Sequence, residues 1–147
     1  MEVNKRITFD QYWDDPDFIS KKPIMHGSLK QHYGDNIYHH NKRTRKWMQE
    51  NSHHSKEDGA INFYNLNRDT KSDNVLISTN FYYFGKNMVS IPAKFKKEIK
   101  SIRGYKKIVD IKFLNAFLSW LKCTQSPGYN ADPLLFKTSF ERYDGIS

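Results

Sequence analysis

Four of the six histidines in this chain fall in two adjacent pairs, His39-His40 and His53-His54, the second flanked by Ser52 and Ser55. Imidazole moves protons near neutral pH and is the commonest metal ligand, so these pairs are the first place to look for chemistry. His32 and Asp35 lie just upstream. If a hairpin carries the first pair to the second, a His/His/Asp group assembles from distant stretches of chain. The spacing is not that of a zinc site, where histidines stand about three or four apart on a helix or are joined by cysteines. Adjacent residues on a strand also face opposite ways, so at most one of each pair can enter a shared site. Three readings stay open. In one, the histidines hold a metal ion; in the second, favoured over it, His39, His53 or His54 serves as acid, base or ligand-binding group in a polar site with no metal or other cofactor. In the third, the histidines are structural or exposed.

Other chemistries find less support. Glycine is sparse, and the chain has neither a phosphate-cradling loop nor a dinucleotide fingerprint. Asp14, Asp15 and Asp17 could face a magnesium ion, but a solvated helix end explains them as well. No serine triad follows from spacing, because its members come from anywhere in a chain. Cys123 is the only cysteine, which fits a reducing cytosol, and it falls in an apolar helical pattern that predicts a packing thiol.

Charge narrows the partners. The formal net charge is +8, and it is uneven. Residues 1–80 carry 12 basic and 11 acidic side chains, whereas residues 81–147 carry 12 and 5. Lysine outnumbers arginine 18 to 6, a bias that an AT-rich genome produces unaided, so placement says more than the total. Lys94, Lys97, Lys106 and Lys107 make the second half a candidate phosphate-facing surface.

These residues need elements to hold them. With 147 residues the chain fits one domain, residues 1–147. Its 22 aromatics compensate for a hydrophobic content of 37%. No run approaches the roughly 18 apolar residues of a membrane span, and no signal peptide is expected at the charged start. Thr8 and Gln11 form a capping box ahead of Phe9, Tyr12 and Trp13, and Pro16 ends that helix. Residues 20–36 read as a loop. Asn36–His40 and Lys46–Glu50 read as a hairpin with a basic tip. Residues 51–74 read as a long polar loop offering His53, His54, Asn65, Asp69 and Asp73 to a ligand. Val75–Ser78 and Phe81–Phe84 are the strongest strands, and the second could leave one aromatic face to stack bases. A helix carrying Ile91, Phe95, Ile99 and Ile102 follows. The last, Ile111 to Lys122, is capped by Asp110 and buries Phe113, Leu114, Phe117, Leu118 and Leu121. The expected fold is α+β, a small antiparallel sheet with two C-terminal helices packed on it.

Several strings in order give a resemblance: Ile7-Thr8-Phe9-Asp10-Gln11-Tyr12-Trp13, His26-Gly27-Ser28-Leu29-Lys30-Gln31, Tyr33-Gly34-Asp35-Asn36-Ile37-Tyr38-His39, Ser52-His53-His54-Ser55, and Ser72–Ser78 with Phe81-Tyr82-Tyr83-Phe84-Gly85. Over residues 7 to about 128 the chain resembles the second type of nucleotide modification associated domain, a family of bacteria and phages linked to DNA base modification. The resemblance implies a cytoplasmic setting in a bacterial host cell. Relatives carry strands before the first string in a layout like PUA barrels. Here the string begins almost at Met1, which implies a reduced PUA-like sheet with an open edge and hence a homodimer.

The expected function is binding of DNA, nucleic acid or modified nucleotides as an accessory, with His53, His54, Ser52, Ser55, Asp35, Asn36, Lys94, Lys97, Lys106 and Lys107 as contacts. The alternatives are a nucleotide-processing enzyme using the histidines, or a phage structural or host-interaction protein.

Overall fold

The computed structural model describes residues 1–98, 107–108, 110–134 and 139–143. They form two compact units: Val3–Ser78 with 139–143, and Met1–Glu2 with Thr79–Leu134.

The larger unit starts with β1 (Lys5–Ile7), which leads straight into α1 (Phe9–Asp14). Thr8 Oγ1 accepts from the Gln11 amide at 3.1 Å, and Gln11 Oε1 accepts from the Thr8 amide at 2.9 Å, so the expected capping box is present. Asp15 then takes extended geometry before Pro16, as a residue preceding proline must, and Pro16–Lys21 continues as a 3₁₀ turn. The hairpin forms as β2 (Tyr38–His40) and β3 (Trp47–Gln49), antiparallel, with Tyr38 opposite Gln49 and His40 opposite Trp47. Asn41 builds its turn, its side-chain oxygen accepting from the amides of Arg43 and Thr44 at 3.0 Å each. β4 (Val75–Ile77) returns antiparallel beside β1.

Ile37, Tyr38 and Leu66 form the core here, with Phe9, Trp47 and Ile61 packed around them. The Phe9 ring meets Tyr38 and Trp47 edge-on at 5.8 and 5.7 Å, the arrangement that aromatic quadrupoles favour.

Both segments read as loops contain helix. Residues 20–36 hold α2 (Leu29–His32), where Gln31 Oε1 accepts from the Ser28 amide at 2.7 Å. Residues 51–74 hold α3 (Phe63–Asp69), started by Asn62, whose side-chain oxygen accepts from the Tyr64 and Asn65 amides. Its sequence, FYNLNRD, shows no apolar stripe. Tertiary contact supplies what periodicity does not, because Leu66 and Asn65 are buried while Phe63 and Tyr64 face outward.

In the smaller unit, β5 (Tyr82–Tyr83) pairs in parallel with β6 (Gly128–Tyr129). Among the described residues the strand ladders are thus two antiparallel and one parallel, in an α+β fold. Gly85 takes a φ of 50°, and a Cβ there would fall 2.3 Å from the Ala131 carbonyl oxygen, so glycine is required where β5 stops. Of the helix expected from Ile91 to Ile102, α4 (Ala93–Lys96) is described, and Ile99 and Ile102 lie outside the described residues. Asp110 caps α5 (Ile111–Thr124), accepting from the Phe113 amide at 3.1 Å. The buried ring of Phe95 meets Phe113, Phe117 and Trp120 of α5 at 5.4–5.7 Å. Two expectations for α5 need correction. None of the five expected core side chains is fully buried, Phe113, Leu114, Phe117 and Leu121 being half-buried and Leu118 exposed, and Cys123 is exposed too, because the contact stripe runs through Phe113, Phe117 and Trp120. Among the described residues no helix is long and apolar enough to cross a membrane.

Candidate functional site

Ser52 to Ser55 make a tight turn instead of a strand or an open loop. The Ser55 amide donates to the Ser52 carbonyl at 3.1 Å, the Ser52 amide to Ser55 Oγ at 3.1 Å, and the His54 amide to Ser52 Oγ at 3.3 Å. Both serines are buried, and these bonds occupy their hydroxyls in shaping the turn. The strand rule of alternating faces therefore does not govern His53 and His54, whose rings lie side by side with centroids 4.3 Å apart.

His54 is held from α3, β2 and β3. Its Nδ1 lies 2.9 Å from Asp69 Oδ2 at the end of α3 and 3.2 Å from the Tyr38 hydroxyl of β2. Tyr38 itself donates to Asp69 Oδ2 at 2.8 Å, and Arg68 Nε donates to Asp69 Oδ1 at 2.8 Å. From below, Gln49 Nε2 and Asn65 Nδ2 both donate to the His54 carbonyl at 2.9 Å. Residues 139–143 join the turn through its neighbour, where the Tyr143 amide donates to the His53 carbonyl at 2.7 Å and Asn65 Nδ2 donates to the Tyr143 carbonyl at 2.8 Å.

This setting separates the charges. Burial would raise the Asp69 carboxyl, but bonds from Arg68 and Tyr38 and the nearby His54 outweigh it and hold Asp69 below the usual carboxylate range. Burial pushes His54 down, against the pull of Asp69. Burial, with the His54 ring second, pushes His53 down to about 4, so His53 is neutral at physiological pH.

Sequence reasoning expected His39 to join this group. The structure separates it. Tyr38 points at His54, and His39, one residue on along β2, faces the other way. There it bonds Glu50 at 2.8 Å and stacks on Trp13 at 4.2 Å, with Lys22 Nζ also over that indole, 3.5 Å from its ring centre. His40 pairs with Asp10 at 3.1 Å and packs on Trp47. Asp35 accepts from the Tyr12 hydroxyl at 2.9 Å, and buried Asn36 donates to the Tyr12 carbonyl at 2.8 Å, so both brace the fold. Asp73 accepts from the Phe9 amide. Among the described residues no set of three or more His, Cys, Asp or Glu side chains could hold a metal ion. Lys94, Lys97 and Lys107 are exposed and belong to the smaller unit, and Lys106 lies outside the described residues.

Beside the turn is a hollow of about 260 Å³ lined by Ser55, Lys56, Glu57, Asn62, Arg142 and Tyr143. Arg142 is set in place by Asn51 Oδ1 at 3.0 Å, the Ser52 carbonyl at 2.5 Å and Ser55 Oγ at 2.6 Å. The Tyr143 ring lies 5.9 Å from His54 and 5.0 Å from the Arg68 guanidinium. Lys56, Tyr38, Gln49, Arg142 and Tyr143 escaped the sequence reading. Arg142 and Tyr143 come from a tail about ninety residues away, for which no local pattern exists.

The sequence model of a family described as nucleotide modification associated domain 2 matches residues 1–140. The chain belongs to that family. The match takes in the Ser52–Ser55 turn, α3 and both histidine pairs. No curated protein and no solved structure matches the chain.

Proposed function

We propose that this protein binds nucleotides or nucleic acid within a base-modification system, with the hollow beside Ser55 as the nucleotide site. The observation that carries the reading is the lining itself. Lys56 and Arg142 supply positive charge for a phosphate, outweighing the single Glu57 carboxylate, and Tyr143 an aromatic face, within one 260 Å³ space. Membership of a nucleotide-modification-associated family supports the same class of ligand. In the smaller unit, exposed Lys94, Lys97 and Lys107 make no ion pair with described residues and suit phosphate contact. Tyr83 and Tyr129 there stack at 5.4 Å and 15° while remaining exposed, as a base-stacking platform requires.

The test is titration of thymidine 5′-monophosphate and of short single- and double-stranded DNA, with ordinary and modified bases. Mononucleotide affinity should drop on Lys56→Glu or Arg142→Gln, and DNA affinity should fall steeply with added salt as counterion release loses its advantage. Flat titrations at low salt refute the proposal.

A further inference from the structure

The tip of the β2–β3 hairpin carries a run of charge that the hollow leaves unused. Lys42, Arg43, Arg45 and Lys46 are parted only by Thr44, and residues 42–46 are all exposed. No acidic residue stands between Asp35 and Glu50. The backbone beneath them is fixed. The Asn41 amide donates to the Lys46 carbonyl and the Arg45 amide to the Asn41 carbonyl, both at 2.9 Å. Asn41 Oδ1 takes the Arg43 and Thr44 amides, so the turn closes without help from any cationic side chain. Those side chains start from a set frame, and only their own freedom is lost when they grip a partner.

Folding does not require these residue types. Asn41 supplies the turn chemistry, and small polar residues would serve at the tip. At Arg45 the backbone disfavours the residue present. Its φ is 56°, in the left-handed region where glycine or asparagine costs less, and no other described non-glycine residue has a positive φ. Composition does not require them either. Lysine outnumbers arginine 18 to 6, yet two of the six arginines stand here against that bias. Arginine offers a planar fork of donors that matches two oxygens of one phosphate.

Nearby acids take up part of the charge. Lys42 Nζ lies 3.2 Å from Asp14 and Arg45 Nη2 3.5 Å from Asp10. Both cations are largely in solvent, where such pairs hold weakly, and Asp10 already accepts from the His40 amide at 2.7 Å. Arg43 and Lys46 make no ion pair with described residues. The tip is therefore a rigid frame with charge to spare. Its partner must be a dense, regular row of anions, and duplex DNA presents about one charge per 1.7 Å of axis. Single-strand readers add aromatic rings on which bases stack, and residues 42–46 contain none.

We propose that the β2–β3 hairpin tip grips the phosphates of double-stranded DNA, with Arg43 and Lys46 as its main contacts. This rests on the reading that the protein binds nucleic acid, and it adds a second surface, since no tip residue lines the hollow.

The experiment follows the full chain binding a labelled DNA duplex by fluorescence anisotropy across a salt series. Each phosphate contact adds about 0.9 to the slope of log affinity against log salt. Between about 50 and 200 mM salt, wild-type affinity should therefore fall about 12-fold more than that of the double variant Arg43→Gln, Lys46→Gln. Arg43→Lys, which keeps the charge, should keep the wild-type slope. Binding of thymidine 5′-monophosphate should be the same in all three proteins. If the duplex binds and the double variant keeps the wild-type slope, the inference falls and the nucleic-acid reading stands. An equal loss of mononucleotide affinity in the double variant also overturns it, because the tip then has no role of its own. A single strand of the same length that binds as tightly, with the same loss in the variant, overturns the duplex assignment. If the mononucleotide binds and the duplex does not, this inference falls and the hollow remains the nucleotide site. If neither binds, both readings fall.

Discussion

Replacing Asn65 by alanine should loosen the tail from the rest of its unit. Asn65 is fully buried, and its amide nitrogen donates twice, to the His54 carbonyl at 2.9 Å and to the Tyr143 carbonyl at 2.8 Å. The two losses are unequal. The His54 carbonyl keeps the Gln49 bond at 2.9 Å, whereas Tyr143 loses the side chain that ties its carbonyl to α3. A net hydrogen bond contributes about 1 kcal/mol, and stranding an acceptor costs about 1–3 kcal/mol more. One term runs the other way, because Asn65 Oδ1 is buried without a partner and alanine removes it. The sum is a loss of about 2–3 kcal/mol. Urea unfolding at pH 7 should show that loss with an unchanged m value. Hydrogen exchange should rise at the Tyr143 amide, which donates to the His53 carbonyl at 2.7 Å. A loss below about 0.5 kcal/mol, the scatter of ordinary surface changes, with Tyr143 still protected would refute the assignment of Asn65 as the peg.

Other outcomes follow from the same geometry. His53 has a folded pKa near 4 against an ordinary 6.5, so between those values the unfolded chain binds more protons and stability falls as pH is lowered through that window. His53→Gln should flatten that slope in urea midpoints taken across the window; an unchanged slope would mean that His53 is not buried as a neutral ring. Tyr38→Phe removes the hydroxyl that donates to Asp69 and should cost about 1–2 kcal/mol in a denaturant melt, with the Asp69 carboxyl rising in a carbon NMR titration. Gly34→Ala puts a Cβ 2.5 Å from the Lys21 carbonyl oxygen and should destabilise the fold by more than about 1 kcal/mol, read as a lower thermal midpoint. A homodimer paired through the outer edges of the two-stranded ladders should sediment at twice the chain mass at micromolar concentration, and a monomer mass removes it.

Sequence alone determined what depends on neighbours in the chain. The Thr8–Gln11 capping box, the stop at Pro16, the hairpin around Asn41 and the Asp110 cap of α5 all rest on contacts a few residues apart, so residue type and spacing suffice for them. The family strings were legible for the same reason. α3 was not, because FYNLNRD carries no periodic stripe and is helical only where Leu66 and Asn65 find a core to enter. The site divides along the same line. His53 and His54 stand out as a pair, but which of them is oriented, and by what, depends on Tyr38, Asp69, Arg142 and Tyr143 arriving from elsewhere in the chain. The direction in which His39 points was settled by the hairpin's register: a strand shows alternate residues to opposite faces, and Tyr38 took the one toward His54.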